Sequence, residues 1–269
     1  MVFIDATCVF HQGFYKTMQE DNFLFDKQIM KNTENGSFTN TFKNSSNICM
    51  AVFDGLGGLP DGEKASELAA NTLKHQIKNL KLLKEIDSSW MSSTILTINR
   101  LVAMLGEQEG HDCGTTAAIL LIDRQKIYVG NVGDSRIYQF VENSLSQISV
   151  DHSDRDIIKE LGIAERKPSL LQYIGIHPKV GKVFPSVCCF EHKNKGRYIL
   201  CTDGLTDMVC DTDIEAICRE SKTAEECSKK LVQRALSNGG ADNVTVIVCD
   251  FVEALPFPKL INYLKNRKD

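Results

Sequence analysis

The chain has 269 residues, of which 31 are Lys or Arg, 35 are Asp or Glu and 42% are apolar, with a formal charge of −4. That balance is expected of a soluble globular chain able to bury a sizeable core. It excludes disorder and lacks the concentrated positive charge that nucleic acid or an anionic membrane surface demands. Apolar runs such as 117–122 fall far short of the roughly 18 residues of a membrane-spanning helix.

The opening residues MVFIDATCVF carry neither a basic leader nor a small-residue cleavage site, so they read as a strand over 2–10 and not as an export signal. A second strand is expected near 22–26. The Asn-, Ser- and Thr-rich stretch 31–47 reads as a hairpin loop, followed by a strand over 48–53. From Asp61 onward, Ala65, Leu68, Ala69, Leu73, Ile77 and Leu80 recur at helical spacing and predict a long amphipathic helix. Ile95, Ile98, Val102 and Leu105 predict a second helix, closing at Gly106.

Strands near 115–122, 126–132 and 136–141, separated by short turns, suit an antiparallel meander. Residues 152–186, with a short helical piece at 157–161, read as a flap over a scaffold. Strands return at 186–190 and 197–202. Thr223 and Glu226 form a capping box that opens a helix with Cys227, Leu231, Val232 and Ala235 inward and Asn238-Gly239 as its stop. A last strand runs over 244–252. The expected fold is α+β: two antiparallel sheets packed as a sandwich, flanked by pairs of antiparallel helices. Without a linker or repeat, one domain over 1–255 with a short basic tail over 256–269 is the expected partition. Ten cysteines without a CxxC pair suggest buried thiols in a reducing, cytoplasmic setting.

The chemistry lies in the acids. Apolar strands end in Asp-Gly in AVFDGLGG (Asp54, Gly55) and ILCTDGLTD (Asp203, Gly204), and Asp242 stands just before the last strand in GGADNVTVIV. Glu20-Asp21 follows a loop containing Gly13, and Asp112 precedes Gly114-Thr115-Thr116. One Asp-Gly is ordinarily a turn. Several carboxylates converging on one cleft repel each other unless protonated or neutralised, and hard oxygen donors suit Mg²⁺ or Mn²⁺. Within GDSR, Asp134 and Arg136 are expected to pair and fix a turn outside the catalytic set.

Six stretches in order, GFYKTMQED (13–21), DGLGG (54–58), DCGTTA (112–117), GDSR (133–136), TDGLTD (202–207) and DNVTVIV (242–248), resemble the PPM (type 2C) metal-dependent Ser/Thr protein phosphatases in a bacterial-like form. The resemblance implies that Asp54 bridges two catalytic Mg²⁺ or Mn²⁺ ions and that the Gly55 carbonyl and Glu20 serve the second. It implies that Asp203 and Asp242 complete the first, that Asp21 orients water, and that Asp112 with Asp203 holds a third ion. The implied reaction is attack of a metal-bridging hydroxide on phosphoserine or phosphothreonine, the two ions standing about 3.5–4 Å apart.

Three positions depart from the family pattern, the mildest being Gln19 in place of the Asn common beside Glu-Asp. Lys16 replaces the usual phosphate-binding Arg, keeping the charge and losing the bidentate fork. Leu56 replaces a His found in many eukaryotic members, so no proton donor stands there. The alternatives are a catalytically weak or inactive pseudophosphatase that binds partners, and a hydrolase of small phosphate esters. Retention of Glu20, Asp54, Asp112, Asp203 and Asp242 weighs against the former. No Cys is followed by Arg at the spacing of a cysteine phosphatase, and GIHPKVGK (175–182) lacks the Ser/Thr of a phosphate loop. Phosphorylated proteins are the expected partners of a monomeric chain.

Overall fold

A computed structural model describes residues 2–31, 34–43, 47–80, 87–162, 168–192 and 195–253. The basic tail expected over 256–269 lies outside them. Two antiparallel sheets stack face to face. The first has the order β3 (Asn35–Lys43), β1 (Val2–His11), β11 (Val244–Glu253), β10 (Arg197–Cys201), β7 (Arg136–Val141) and β8 (Ser144–Gln147). The second runs β2 (Asp21–Leu24), β4 (Ile48–Asp54), β5 (Ala117–Ile122), β6 (Lys126–Val132) and β9 (Ser186–Glu191).

Strand alternation sorts the side chains into layers. Ile4, Cys8, Phe23, Met50, Val52, Leu120, Val129, Leu200 and Ile247 face inward and form the interior between the sheets. On the outer face of the second sheet, Ala51, Phe53, Ile119 and Leu121 meet Ala69, Leu73, Ile95 and Ile98 of helices α1 (Gly62–Leu80) and α2 (Ser88–Glu109). On the outer face of the first, Ile199, Val246 and Val248 meet Ile214, Ile217, Leu231 and Ala235 of α5 (Asp211–Glu220) and α6 (Ala224–Ser237). The expected α-β-β-α layering is therefore present.

Four local expectations are corrected. Residues 35–43 form an edge strand and not a loop, with Phe38 and Phe42 packed against the inter-sheet interior and alternate polar residues outward. Helix α2 does not close at Gly106 but runs to Glu109, capped at Asp87 by an Asp87 side-chain bond from the Trp90 N–H and ended by left-handed Gly110. The meander breaks after β6: β7 pairs with β10 in the opposite sheet. Two short helices, α4 (Asp203–Thr206) and α5, fill a stretch with no predicted element. At α6 the Thr223 hydroxyl accepts from the Glu226 N–H at 3.1 Å, as the capping box requires. Its second half differs, because the Glu226 carboxylate accepts from the Lys222 N–H at 2.8 Å.

Candidate metal centre

Strand ends from both sheets converge at one edge of the sandwich. Asp21 opens β2 and stands directly across from Asp54 at the end of β4. Asp203 is the first residue of α4, two residues after the last of β10, and Asp242 lies two residues before β11. Lys16, Asp54, Gly55, Thr116, Asp134, Asp203 and Asp242 line one cavity of about 540 Å³. Its apolar walls are Leu56, Leu59, Pro168, Leu170 and Tyr173, the last three from the 152–186 segment.

Hydrogen bonds fix each acidic strand end. The Asp54 N–H donates to Thr116 Oγ1 at 3.0 Å, and the Asp54 carbonyl accepts from the Thr116 N–H at 2.8 Å and the Thr115 hydroxyl at 2.9 Å. The Glu20 N–H donates to Asn243 Oδ1 at 2.7 Å, while Asn243 Nδ2 donates to the Gln12 and Met18 carbonyls at 2.7 and 3.0 Å. The loop carrying Lys16 is thereby clamped to the strand start that presents Asp242. Glycine at 57 leaves Glu20 and Lys16 their pose: a Cβ there would lie 2.7 Å from Glu20 Oε2 and 3.0 Å from Lys16 Nζ, and those side-chain ends would have to move aside.

Asp21 is buried, and its Oδ2 accepts from the Thr202 and Thr245 hydroxyls at 2.9 and 2.7 Å. Its Oδ1, equally shut from solvent, has no hydrogen-bond partner. Burial first, and then the Asp203 and Asp242 charges, push the Asp21 carboxyl up to about 8, against the pull of the two threonine bonds. Burial followed by Asp203, Asp21 and Asp134 raises Asp54 well above the usual carboxylate range. Four neighbouring acids, two of them held above the usual carboxylate range by burial and by the charges around them and one with an orphaned buried oxygen, form a donor set that fits divalent cations. At the rim, Lys16 Nζ stands 3.1 Å from Glu20 Oε2 and 2.9 Å from Asp242 Oδ1.

The structure thus brings together Lys16, Glu20, Asp21, Asp54, Gly55, Asp203 and Asp242. Asp112 is exposed and outside the cavity lining; its charge reaches the cavity wall at Tyr173. The expected Asp134–Arg136 pair does not form. Arg136 makes a bidentate contact with Asp151 at 2.7–3.0 Å and donates to the Tyr138 hydroxyl. Asp134 faces the cavity instead, where burial and then Asp203 and Asp151 push its carboxyl up to about 7, opposed by Arg155. Arg155 also ties the 152–186 segment to α4 through Asp207 at 2.8 Å. The Thr202–Thr245 bracket around Asp21 carries no sequence signal beyond two threonines at strand ends.

A fold of this layering that gathers an acidic cluster with one lysine ammonium at its rim is suited to divalent cations and an anionic substrate. The chain matches the family model for protein phosphatase 2C over residues 37–238. Serine/threonine phosphatase stp of Listeria monocytogenes is 32% identical over 233 residues, covering 81% of this chain and 90% of that protein. Protein phosphatase PhpP of Streptococcus pneumoniae is 30% identical over 240 residues, covering 83% and 94% respectively. The crystal structure of the PstP catalytic domain in complex with two manganese ions superposes with a TM-score of 0.74 at 25% identity, covering 94% of this chain and all of that one (100%). This chain belongs to the protein phosphatase 2C family.

Proposed function

We propose that the chain is a Mg²⁺- or Mn²⁺-dependent serine/threonine protein phosphatase whose single catalytic domain spans 1–255, with 152–186 as a flap that shapes substrate access. The observation that carries the metal dependence is the convergence of Asp21, Asp54, Asp203 and Asp242 from two sheets, with the carboxyls of Asp21 and Asp54 pushed up by burial and by the neighbouring acids. The named phosphatases at 30–32% identity over most of the chain support the reaction class and give the pseudophosphatase alternative no support.

Asp54, the Gly55 carbonyl, Asp203 and Asp242 would hold two catalytic ions, with Glu20 beside the second, and Asp112 with Asp203 would serve a third. When bound, such ions supply positive charge that makes hydroxide available near neutral pH and neutralises phosphoryl oxygens. Lys16, within reach of the acidic rim, binds the phosphoryl group of the substrate as a point charge. Asp21, locked by two threonines behind the cavity lining, would orient water of the metal centre. Leu56 offers no proton to the leaving alkoxide, so the proton comes from elsewhere in the site. The apolar walls exclude bulk water and strengthen these electrostatic contacts. Phosphorylated proteins are the substrates, and a monomeric, cytoplasmic enzyme is part of this proposal; among the described residues no helix is long and apolar enough to cross a membrane.

The test is phosphate release from a phosphothreonine peptide. Release is expected with Mn²⁺, is abolished by chelator, and falls at least about 100-fold in Asp203→Asn. Release indifferent to chelator and to Asp203→Asn overturns the metal mechanism.

A further inference from the structure

The ammonium of Lys16 sits where the acidic rim is most crowded. Its Nζ lies 2.9 Å from Asp242 Oδ1 and 3.1 Å from Glu20 Oε2, and the Lys16 side chain is only 29% exposed. Both partners are among the carboxylates assigned to cation binding. The arrangement is anchored and not a chance surface contact: Gln12 Nε2 donates to the Lys16 carbonyl at 2.8 Å, and Asn243 pins the same loop to the Glu20 N–H and the Gln12 and Met18 carbonyls. Gly57 leaves room beside Nζ for this pose, since a Cβ would stand 3.0 Å from it.

We propose that Lys16 is a tethered counter-ion of the metal centre, whose ammonium competes with divalent cations for Glu20 and Asp242 and is released toward the substrate phosphate as cations load. A carboxylate oxygen that accepts from an ammonium at 2.9 Å gives up part of that interaction when a divalent cation claims the same group, so each loading event works against two ion pairs. Lysine suits this exchange. Its charge is compact, its four-carbon stem swings freely, and it holds a carboxylate by a single contact, whereas a guanidinium fork on the same carboxylates would be harder to displace. The same residue thus couples two events. Cation loading frees the group that binds phosphate, and phosphate binding draws the competitor away from the cation ligands. This rests on the proposed assignment of Glu20 and Asp242 as metal ligands.

The experiment is titration calorimetry of Mn²⁺ into chelator-stripped full-length wild type, Lys16→Met and Lys16→Gln, at about 0.1 M and about 0.5 M salt. The apparent Mn²⁺ dissociation constant is expected to fall about three- to tenfold in both variants, with the gain retained at the higher salt because the competing contacts are direct. The stripped variants are also expected to melt below the stripped wild type, having lost the charge that offsets the acids. Unchanged or weaker Mn²⁺ affinity, a gain that vanishes at high salt, or stripped variants that melt at or above wild type overturns the counter-ion role while leaving the metal centre intact. Failure of the wild type itself to bind Mn²⁺ overturns the metal centre and this inference together.

Discussion

Asp134 shows what a single carboxyl contributes when its neighbours are acids. The chain bends at Gly133 and Asp134 before β7 begins at Arg136, so the shared face of residues two apart on a strand is lost: Arg136 meets Asp151 while Asp134 faces Asp203. Adjacency in sequence suggested a pair that the bend between β6 and β7 separates. In the metal-free protein the Asp134 carboxyl titrates near about 7 against an ordinary 3.8, so between those values the folded state holds a proton that the unfolded state has released. Stability therefore falls as pH rises through that window. Asp134→Asn removes this contribution: in chelator its melting temperature is expected to exceed that of wild type by a margin that grows by about 3 °C or more from pH 5 to pH 8, in thermal scans at both values. Lys16 is legible in the sequence as a departure from the family's Arg, and its chemistry gives a second expectation. Lys16→Arg restores a bidentate phosphate contact, so at saturating Mn²⁺, where cations already hold the acids, the KM for a phosphothreonine peptide should fall about three- to tenfold, measured by steady-state phosphate release.

At the scale of elements, strongly periodic segments were readable and polar or irregular ones were not. α1 and α6 have unbroken apolar faces and fold as expected, whereas β3 hides its inward Phe38 and Phe42 among Asn, Ser and Thr that suit its exposed side. Gly106 looked like a helix stop; its missing Cβ instead lets the chain after Gly110 return close over α2, where a Cβ would lie 2.8 Å from the His111 carbonyl oxygen. No sequence pattern announced the joint between β10, β11 and α5, because its parts lie far apart in the chain. There Arg197 pairs with both Asp250 oxygens at 2.7 and 2.9 Å and donates to the Cys218 and Ser221 carbonyls at 2.8 and 3.2 Å. Arg197→Met leaves Asp250 without its counter-charge and two carbonyls without their donor. The expected cost is about 3–5 kcal/mol, read from the urea midpoint at unchanged m-value.

For the whole molecule, the acidic motifs were legible because each ends or begins a strand, while their convergence depends on which sheet each strand joins. Asp21 and Asp54 belong to the second sheet, and Asp203 and Asp242 follow or precede strands of the first. Under the proposed assignment, cations held between them would fasten one layer to the other. Mn²⁺ at about 100 times its dissociation constant should therefore stabilise the fold by about 2.7 kcal/mol, seen as a higher melting temperature that chelator reverses. The same division of ligands gives the buried side chains between the sheets a role as a spacer. Met50, Leu120 and Ile247 set the gap across which the jaws of the site face each other, so the molecule works like a caliper whose opening is adjusted far from its tips. Leu120→Ala, with no contact to the acids required, should both lower stability by about 2–5 kcal/mol and weaken Mn²⁺ binding in calorimetry, as an altered spacing misplaces donors that each retain their own chemistry.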